Sequence, residues 1–379
     1  MSYAIRQGVS QDPSATKAVA ELAIQLAQPD LGLVLFFCSS QYDRPQLATA
    51  IRKAFPKTVV IGCTTAGEIT PEGYKSGSIT GISFGRSIVR ADAILIRNLG
   101  TFGLNNMLDA VRSLNHRMEL MAGENYHSNT FATLFIDGMS GAEDGVLSAL
   151  QTIIPDIPLF GGSAGDDLEF LECFVFAEGE FHSNAAVLAM VNSSLPFRVF
   201  KTQHYVASDR KMVITGADPV KRIVTEINAE PAAQEFARIV GLDVKELTPM
   251  MFATHPVVVR VGGLDFVRSI QKVNPDGSLS FFCAIDEGLV LSAATNVDAY
   301  ETLEGVFAEI EREIGPPQLV VGCECVLRLL EREQVQDKGR MGKLLATRNV
   351  VGFNTYGEQY QGIHVNQTFT GVAFGMPRR

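Results

Sequence analysis

Leu33-Val34-Leu35-Phe36-Phe37, a helical segment from Pro45 to Phe55, Pro56, Val59-Val60-Ile61 and the turn Gly62-Cys63-Thr64-Thr65-Ala66-Gly67-Glu68 together decide the fold. A short apolar run without alternation is the form taken by a strand buried on both faces. Two such runs joined by a helix and ending in a glycine turn make a strand–helix–strand unit. The unit recurs 99 residues along: Leu134-Phe135-Ile136 falls under Leu35-Phe36-Phe37, Pro155 under Pro56 and Gly161 under Gly62, with no gap. The second turn reads Gly161-Gly162-Ser163-Ala164-Gly165-Asp166, one residue shorter. A looser third copy carries Leu319-Val320-Val321, Asn349-Val350-Val351 and Gly352-Phe353-Asn354-Thr355-Tyr356-Gly357-Glu358. Its helix, Arg328 to Leu345, is longer, with an insertion of about six residues by comparison of spacings. An alternating apolar run follows each turn and closes a hairpin: Ser78 to Phe84, Ala185 to Val191, Thr368 to Phe374. The expected fold is mixed α/β and two-lobed, built from repeated βαβ-plus-hairpin units around mixed sheets.

Outside the repeats, Ala15 to Gln28 reads as an amphipathic helix, with Asp12 and Ser14 offering capping oxygens and Pro13 suiting a first turn. Ala232 to Val240 is helical in pattern, and strand-like runs follow to Ile285, with Asn274-Pro275-Asp276-Gly277 a turn between them. The expected division is an N-terminal helix over 1–29, a domain of two repeat units over 30–226, and a third unit plus meander over 227–379. The chain has 379 residues, 46% hydrophobic and 20% charged, enough to bury a substantial core. A formal charge of −10 argues against a nucleic-acid partner, and no basic run suits an anionic membrane. No stretch approaches the roughly 20 apolar residues of a membrane helix, and no secretory pattern opens the chain. The six cysteines lack disulfide-scaffold spacing, so a cytoplasmic, soluble protein with reduced thiols is expected.

The turns also carry a family resemblance. Phe36-Phe37-Cys38-Ser39-Ser40-Gln41-Tyr42-Asp43 followed by Gly62-Cys63-Thr64-Thr65-Ala66-Gly67-Glu68-Ile69 resembles the amino-terminal FIST domain. Cys283-Ala284-Ile285-Asp286-Glu287-Gly288, then Tyr356-Gly357-Glu358-Gln359-Tyr360 and His364-Val365-Asn366-Gln367-Thr368, resemble the carboxyl-terminal FIST domain. The resemblance implies a small-ligand sensor of bacterial signal transduction rather than an enzyme. One branch of the family binds haem, senses nitric oxide and acts on a histidine kinase. The last two words look most like that branch. It would bring haem b, a diatomic gas as signal and the histidine kinase of a two-component system as partner. A homodimer is left open. A FIST sensor of amino acids or related small molecules without haem is the first alternative.

His364-Val365-Asn366 and His182-Ser183-Asn184 are both His-x-Asn words at the start of the strand after a glycine turn. Alternation along a strand puts His and Asn of each word on one face, and pseudo-twofold packing would bring both histidines to equivalent positions. His364 is therefore the candidate iron ligand, with Asn366 orienting it or bonding a bound diatomic, and Tyr356 beside it. His182 and His204 are further candidates for the cofactor. The ordinary alternative is a strand histidine that satisfies its own hydrogen bonds.

The turns supply candidate pocket residues: Cys38, Ser39, Gly62, Cys63, Thr64 and Glu68 in the first copy; Gly161, Gly162, Ser163 and Asp166 in the second; Gly357 and Glu358 in the third. Backbone N–H groups there could cradle an anion, but no Walker lysine is present and each turn ends in an acid. A carboxylate beside such donors suits an amine-bearing ligand, whose own carboxylate Arg260 could face. Cys38 or Cys63 as a nucleophile would make a thiol-dependent enzyme, which needs a base or cation nearby. Small buried residues is the plainer reading of both.

Overall fold

The computed structural model describes residues 5–100, 104–261 and 263–376. Unit 1 runs through a lead strand Ile5–Ser10, helix Ala15–Leu26, core strand Leu31–Ser39, helix Arg44–Ala54 and core strand Val59–Thr65. A small hairpin, Glu68–Thr70 with Gly73–Lys75, and a closing strand Ile79–Gly85 complete it. Unit 2 repeats this order from lead strand Val89–Arg97 through core strands Thr130–Ile136 and Leu159–Ser163, hairpin Val175–Ala177 with Glu180–His182, and closing strand Ala185–Ser193. Unit 3 begins at Phe197–Gln203 and continues through core strands Leu319–Cys325 and Val350–Thr355, hairpin Glu358–Tyr360 with Ile363–Val365, and closing strand Thr368–Phe374. A strand meander from Tyr205 to Asn296 is inserted between unit 3's lead strand and its helix Ala299–Ile314. The expected boundary at 226 and 227 thus falls on a strand of that insertion, Ile223–Ile227.

In every unit the two core strands pair parallel, and the closing strand pairs antiparallel with the first of them. The free edge of the second core strand is then taken by another unit's hairpin. Unit 2's hairpin joins unit 1's sheet, unit 3's joins unit 2's, and unit 1's joins unit 3's. The exchange is cyclic over three units, not twofold over two. It covers edges that would otherwise carry unpaired backbone groups. The inner faces meet in one core, where Phe37 stacks on Phe353 at 4.6 Å and Phe135 packs edge-on to both.

Pairing register corrects two readings. Gly62, Gly161 and Gly352 are equivalent, lying opposite Phe36, Leu134 and Gly322. A Cβ there would stand 2.2, 1.9 and 1.7 Å from the carbonyl oxygen of that partner, so only glycine fits and the turn word recurs. The counterpart of Leu134 in unit 1 is therefore Phe36, not Leu35. The gapless 99-residue offset holds for the second core strand but slips by one in the first, because a run buried on both faces has no alternation to fix its phase. In unit 3 the same comparison gives an insertion of about four residues rather than six. Its long helix is two, Val326–Gln334 and Lys338–Thr347, broken at Gln336 with φ 56°.

The meander forms a strongly bent sheet of its own around helix Ala232–Val240 and helix Pro249–Thr254, with Phe236, Phe252, Leu279 and Leu291 in its core. Among the described residues no helix is long and apolar enough to cross a membrane.

Candidate functional site

Unit 3's hairpin, docked on unit 2's sheet, puts Glu358 opposite Gly162 and Gln359 opposite Gly161, at the carboxyl ends of unit 2's core strands. This is where α/β sheets place their sites. Gln359 Nε2 donates to Ser163 Oγ at 3.0 Å and lies 3.5 Å from His364 Nδ1. Gly357 seals the other edge of the imidazole: a Cβ on it would stand 2.7 Å from His364 Nε2 and 3.0 Å from Asn366 Nδ2. Helix Glu143–Ile153 of unit 2 opens beside the hairpin with two acids, suited to a helix amino end. Arg222 of the meander binds Glu143 at 2.9 Å, Asp144 at 3.2 Å and the Phe282 carbonyl at 2.6 Å. Arg268, also of the meander, donates through Nη1 to the His364 carbonyl at 3.1 Å. Burial holds the His364 imidazole below its usual pKa, against the pull of Glu143 and Asp144.

What sets this junction apart is the number of buried polar atoms with no hydrogen-bond partner among the described residues. Both side-chain atoms of Asn366 are unpaired, as are Gln359 Oε1, Gln367 Oε1, Ser269 Oγ and Arg268 Nε. An unmet buried polar group costs about 1–3 kcal/mol, so such a concentration asks for an occupant. Beside it opens a mostly apolar groove of about 420 Å³ between unit 2's loop (Leu168, Phe170), the meander (Ile270, Phe282) and unit 3's helix (Leu327, Leu330). Gln367 links the two: its Nε2 donates to the Ala253 carbonyl at 3.1 Å, and Ala253 packs against Leu327 and Phe282.

The remaining candidates fall elsewhere. His182 pairs in register with Val175, whereas the residue opposite Val175's counterpart Glu358 is Val365. The two His-x-Asn words are thus one residue out of phase, and His182 lies half-buried near Arg97 while His364 is buried. His204 is locked between Arg328 (2.6 Å) and Glu331 (2.7 Å), and burial holds it down at about 4. Arg260 is exposed and bound bidentately to Asp265. Asp166 accepts from the N–H groups of Phe170, Leu171 and Glu172 and from the Tyr356 hydroxyl, bracing the loop that brings Phe170 to the groove. Ser39 is spent on Asp167 and Thr64 on the Phe174 backbone. Burial pushes the Cys38 and Cys63 thiols well up, the reverse of what a nucleophile needs.

Glu68 and Glu358 are a structural pair. Each accepts from the threonine three residues back and from the N–H and hydroxyl of the residue ten ahead. Burial raises them to about 7 and about 8. The equivalent position in unit 2 is Val175, not Asp166. Of the expected residues, then, His364, Asn366, Gly357, Gly161 and Ser163 are brought together. Gln359 was legible as the opposite face of the Tyr356-to-Tyr360 word, but nothing local marked Arg222, Arg268, Ser269 or Glu143.

Family models match the FIST N domain over residues 32–230 and the FIST C domain over residues 232–361. The chain belongs to the FIST family. It is also similar to an uncharacterized protein of Methanocaldococcus jannaschii, 20% identical over 385 positions that cover 90% of this chain and 73% of that protein. Membership of the FIST family suggests a small-ligand sensor in signalling, and non-enzymatic function at the level of the family. The residues of this FIST chain do not fit a haem held through His364. Both ring nitrogens face protein and the side chain is 1% exposed, whereas an axial ligand needs one nitrogen on an open slot.

Proposed function

We propose that this FIST protein binds a small organic molecule where unit 2, unit 3's hairpin and the inserted meander meet, and reports occupancy to a signalling partner. The observation that carries the reading is the set of unpartnered buried polar atoms around Asn366, next to an apolar groove. Binding pockets combine mostly apolar walls with a few convergent polar groups, as here. The meander supplies the unmet atoms of Arg268 and Ser269, and the hairpin region docked on unit 2 supplies those of Gln359 and Asn366. An occupant therefore bridges the two bodies and favours whichever relative placement completes its contacts. That differential affinity is what a sensor needs.

Calorimetric titration of the intact chain with small metabolites, amino acids included, tests the reading. A saturating ligand whose affinity falls at least tenfold in Gln359→Leu supports it. Binding indifferent to Gln359→Leu and Arg268→Ala would sink the site. Haem carriage with nitric oxide sensing, and control of a histidine kinase, form a second proposal that rests on the family resemblance. The hairpin would have to open to free His364. A haemin titration that gave no saturable Soret band, or one unchanged in His364→Ala, would remove His364 from that role.

A further inference from the structure

The chemistry of the unmet atoms narrows the ligand class, an inference that rests on the site just proposed. Asn366 offers, from one buried planar amide, a free acceptor (Oδ1) and a free donor (Nδ2) side by side. On the residues tied to the same hairpin through His364 and Gly357, or next to them in the chain, Arg268 Nε is a further unmet donor, Gln359 Oε1 and Gln367 Oε1 are unmet acceptors, and the Ser269 hydroxyl can act either way. A carboxylate presents acceptors only and would leave three carbonyl oxygens unmet. An ammonium presents donors only and would leave Asn366 Nδ2 and Arg268 Nε unmet. Formal charge at the junction is even, two arginines against two acids; both acids are held by Arg222, at 2.9 and 3.2 Å, and Arg268 donates to the His364 carbonyl.

A neutral group with a donor and an acceptor on one edge meets Asn366 at both atoms. A cis-amide in a ring is such an edge, and a carboxamide side chain reads a nucleobase edge in this two-point manner. The walls point to a flat ring. Phe170 and Phe282 border the groove with centroids 6.3 Å apart, and Phe170 is held by stacking on Tyr356 at 4.6 Å. Flat heteroaromatics stack on such rings, whereas saturated ligands gain only contact area. Ser269 joins groove and polar cluster: its carbonyl accepts from the Phe282 N–H at 3.0 Å, and Ile270, which follows it, lines the groove.

We propose that the junction of unit 2, the exchanged hairpin and the meander takes a neutral, flat heterocycle with a cis-amide edge, the class to which purine and pyrimidine bases belong. Asn366 reads the edge, and Phe170 and Phe282 hold the ring.

Isothermal calorimetry on the full chain would use hypoxanthine and uracil as flat cis-amides, piperidin-2-one as a saturated ring with the same edge, and L-glutamine as a zwitterion. Expected is one-to-one binding of a heterocycle, weakened at least tenfold in Asn366→Leu and in Asn366→Asp, which keeps the acceptors but loses the donor. Phe170→Leu should weaken the heterocycle several-fold and leave piperidin-2-one unchanged. Equal or tighter binding of piperidin-2-one or L-glutamine, lost in Asn366→Leu, would overturn the heterocycle class and leave the sensor site standing. Heterocycle binding indifferent to both Asn366 variants would place the ligand elsewhere and overturn the proposal. If none of the four probes binds, and Asn366→Leu merely raises the melting temperature, both the class and the site fail together.

Discussion

At one place in the fold, unit 1 presents Phe36, Phe176 and Phe181, and unit 2 presents Leu134, Gln359 and His364. In the first, three rings interlock edge-on at 5.0, 5.1 and 6.1 Å. In the second, an amide and an imidazole face a helix amino end and two arginines, with several atoms unmet. Same strands, same register and same exchanged hairpin produce an aromatic plug in one unit and a cluster of unmet polar atoms in the other. Unit 3 takes a third course at this position. Tyr74 bonds Glu324, which also holds the buried Arg328, and the chain linking unit 3 to the meander is tied in through His204 and Glu331. The backbone sets the location, and a few side chains decide whether it holds rings, ion pairs or unmet polar groups. The meander is the other deciding element, since Arg222 and Arg268 reach only unit 2's position.

Breaking the ionic version should cost most. Arg328 is fully buried, so Arg328→Leu takes the nearer counter-charge from Glu324, leaving Arg332 at 4.0 Å, and should destabilise the chain by about 4 kcal/mol in chemical denaturation. A loss below about 1 kcal/mol would mean that Arg332, Tyr74 and Asn354 suffice for Glu324. Opening the aromatic plug comes next: Phe176→Ala should cost about 3 kcal/mol with no effect on ligand binding. If binding changed too, the three positions would be coupled through the cyclic exchange rather than independent.

The paired glutamates sharpen the comparison by pH. Their folded pKa values, about 7 for Glu68 and about 8 for Glu358, lie above the ordinary carboxyl value. The folded state therefore holds protons that the unfolded chain releases. Stability from these groups is complete below the ordinary value and is lost as pH rises through 7 and 8. Melting curves should fall between pH 5 and 8 by up to about 1 kcal/mol per pH unit for each carboxyl, and Glu358→Gln should flatten that slope. An unchanged slope in Glu358→Gln would show that its cradle stabilises the anion after all. The smallest effect is expected at the site itself. Asn366→Leu removes two unmet polar atoms and should raise stability by about 1 kcal/mol in the absence of ligand. A clear loss instead would mean that the amide is already satisfied in solution by water.

Much of this was legible in particular words. The recurring Gly62, Gly161 and Gly352 announced the units because a carbonyl oxygen less than 2.5 Å from any Cβ forbids every other residue. The glutamates at 68 and 358 marked equivalent hairpin starts in units 1 and 3, and the His364-to-Asn366 word fell on the hairpin that unit 3 lends to unit 2. The phase of the apolar runs was not legible, because residues buried on both faces carry no alternation. The same blind spot made His182 look equivalent to His364 when one residue of register turns it to the other face. Asp166 took the place of Val175 in the reading because unit 2 inserts a loop between core strand and hairpin that the glycine spacing does not report.

By itself the sequence determined three strand–helix–strand units, their glycine turns and the family, since these rest on local sterics and on hydrophobic runs within some 30 residues of one another. Tertiary structure alone decided which hairpin completes which sheet, and hence that Gln359 and His364 of unit 3 serve unit 2. An edge strand's backbone pairs with any compatible edge, and no local pattern names the partner. It also decided that Arg222 and Arg268 arrive at that sheet end. Charge pairing across some 80 residues follows from the placement of the meander, and no spacing in the chain encodes it.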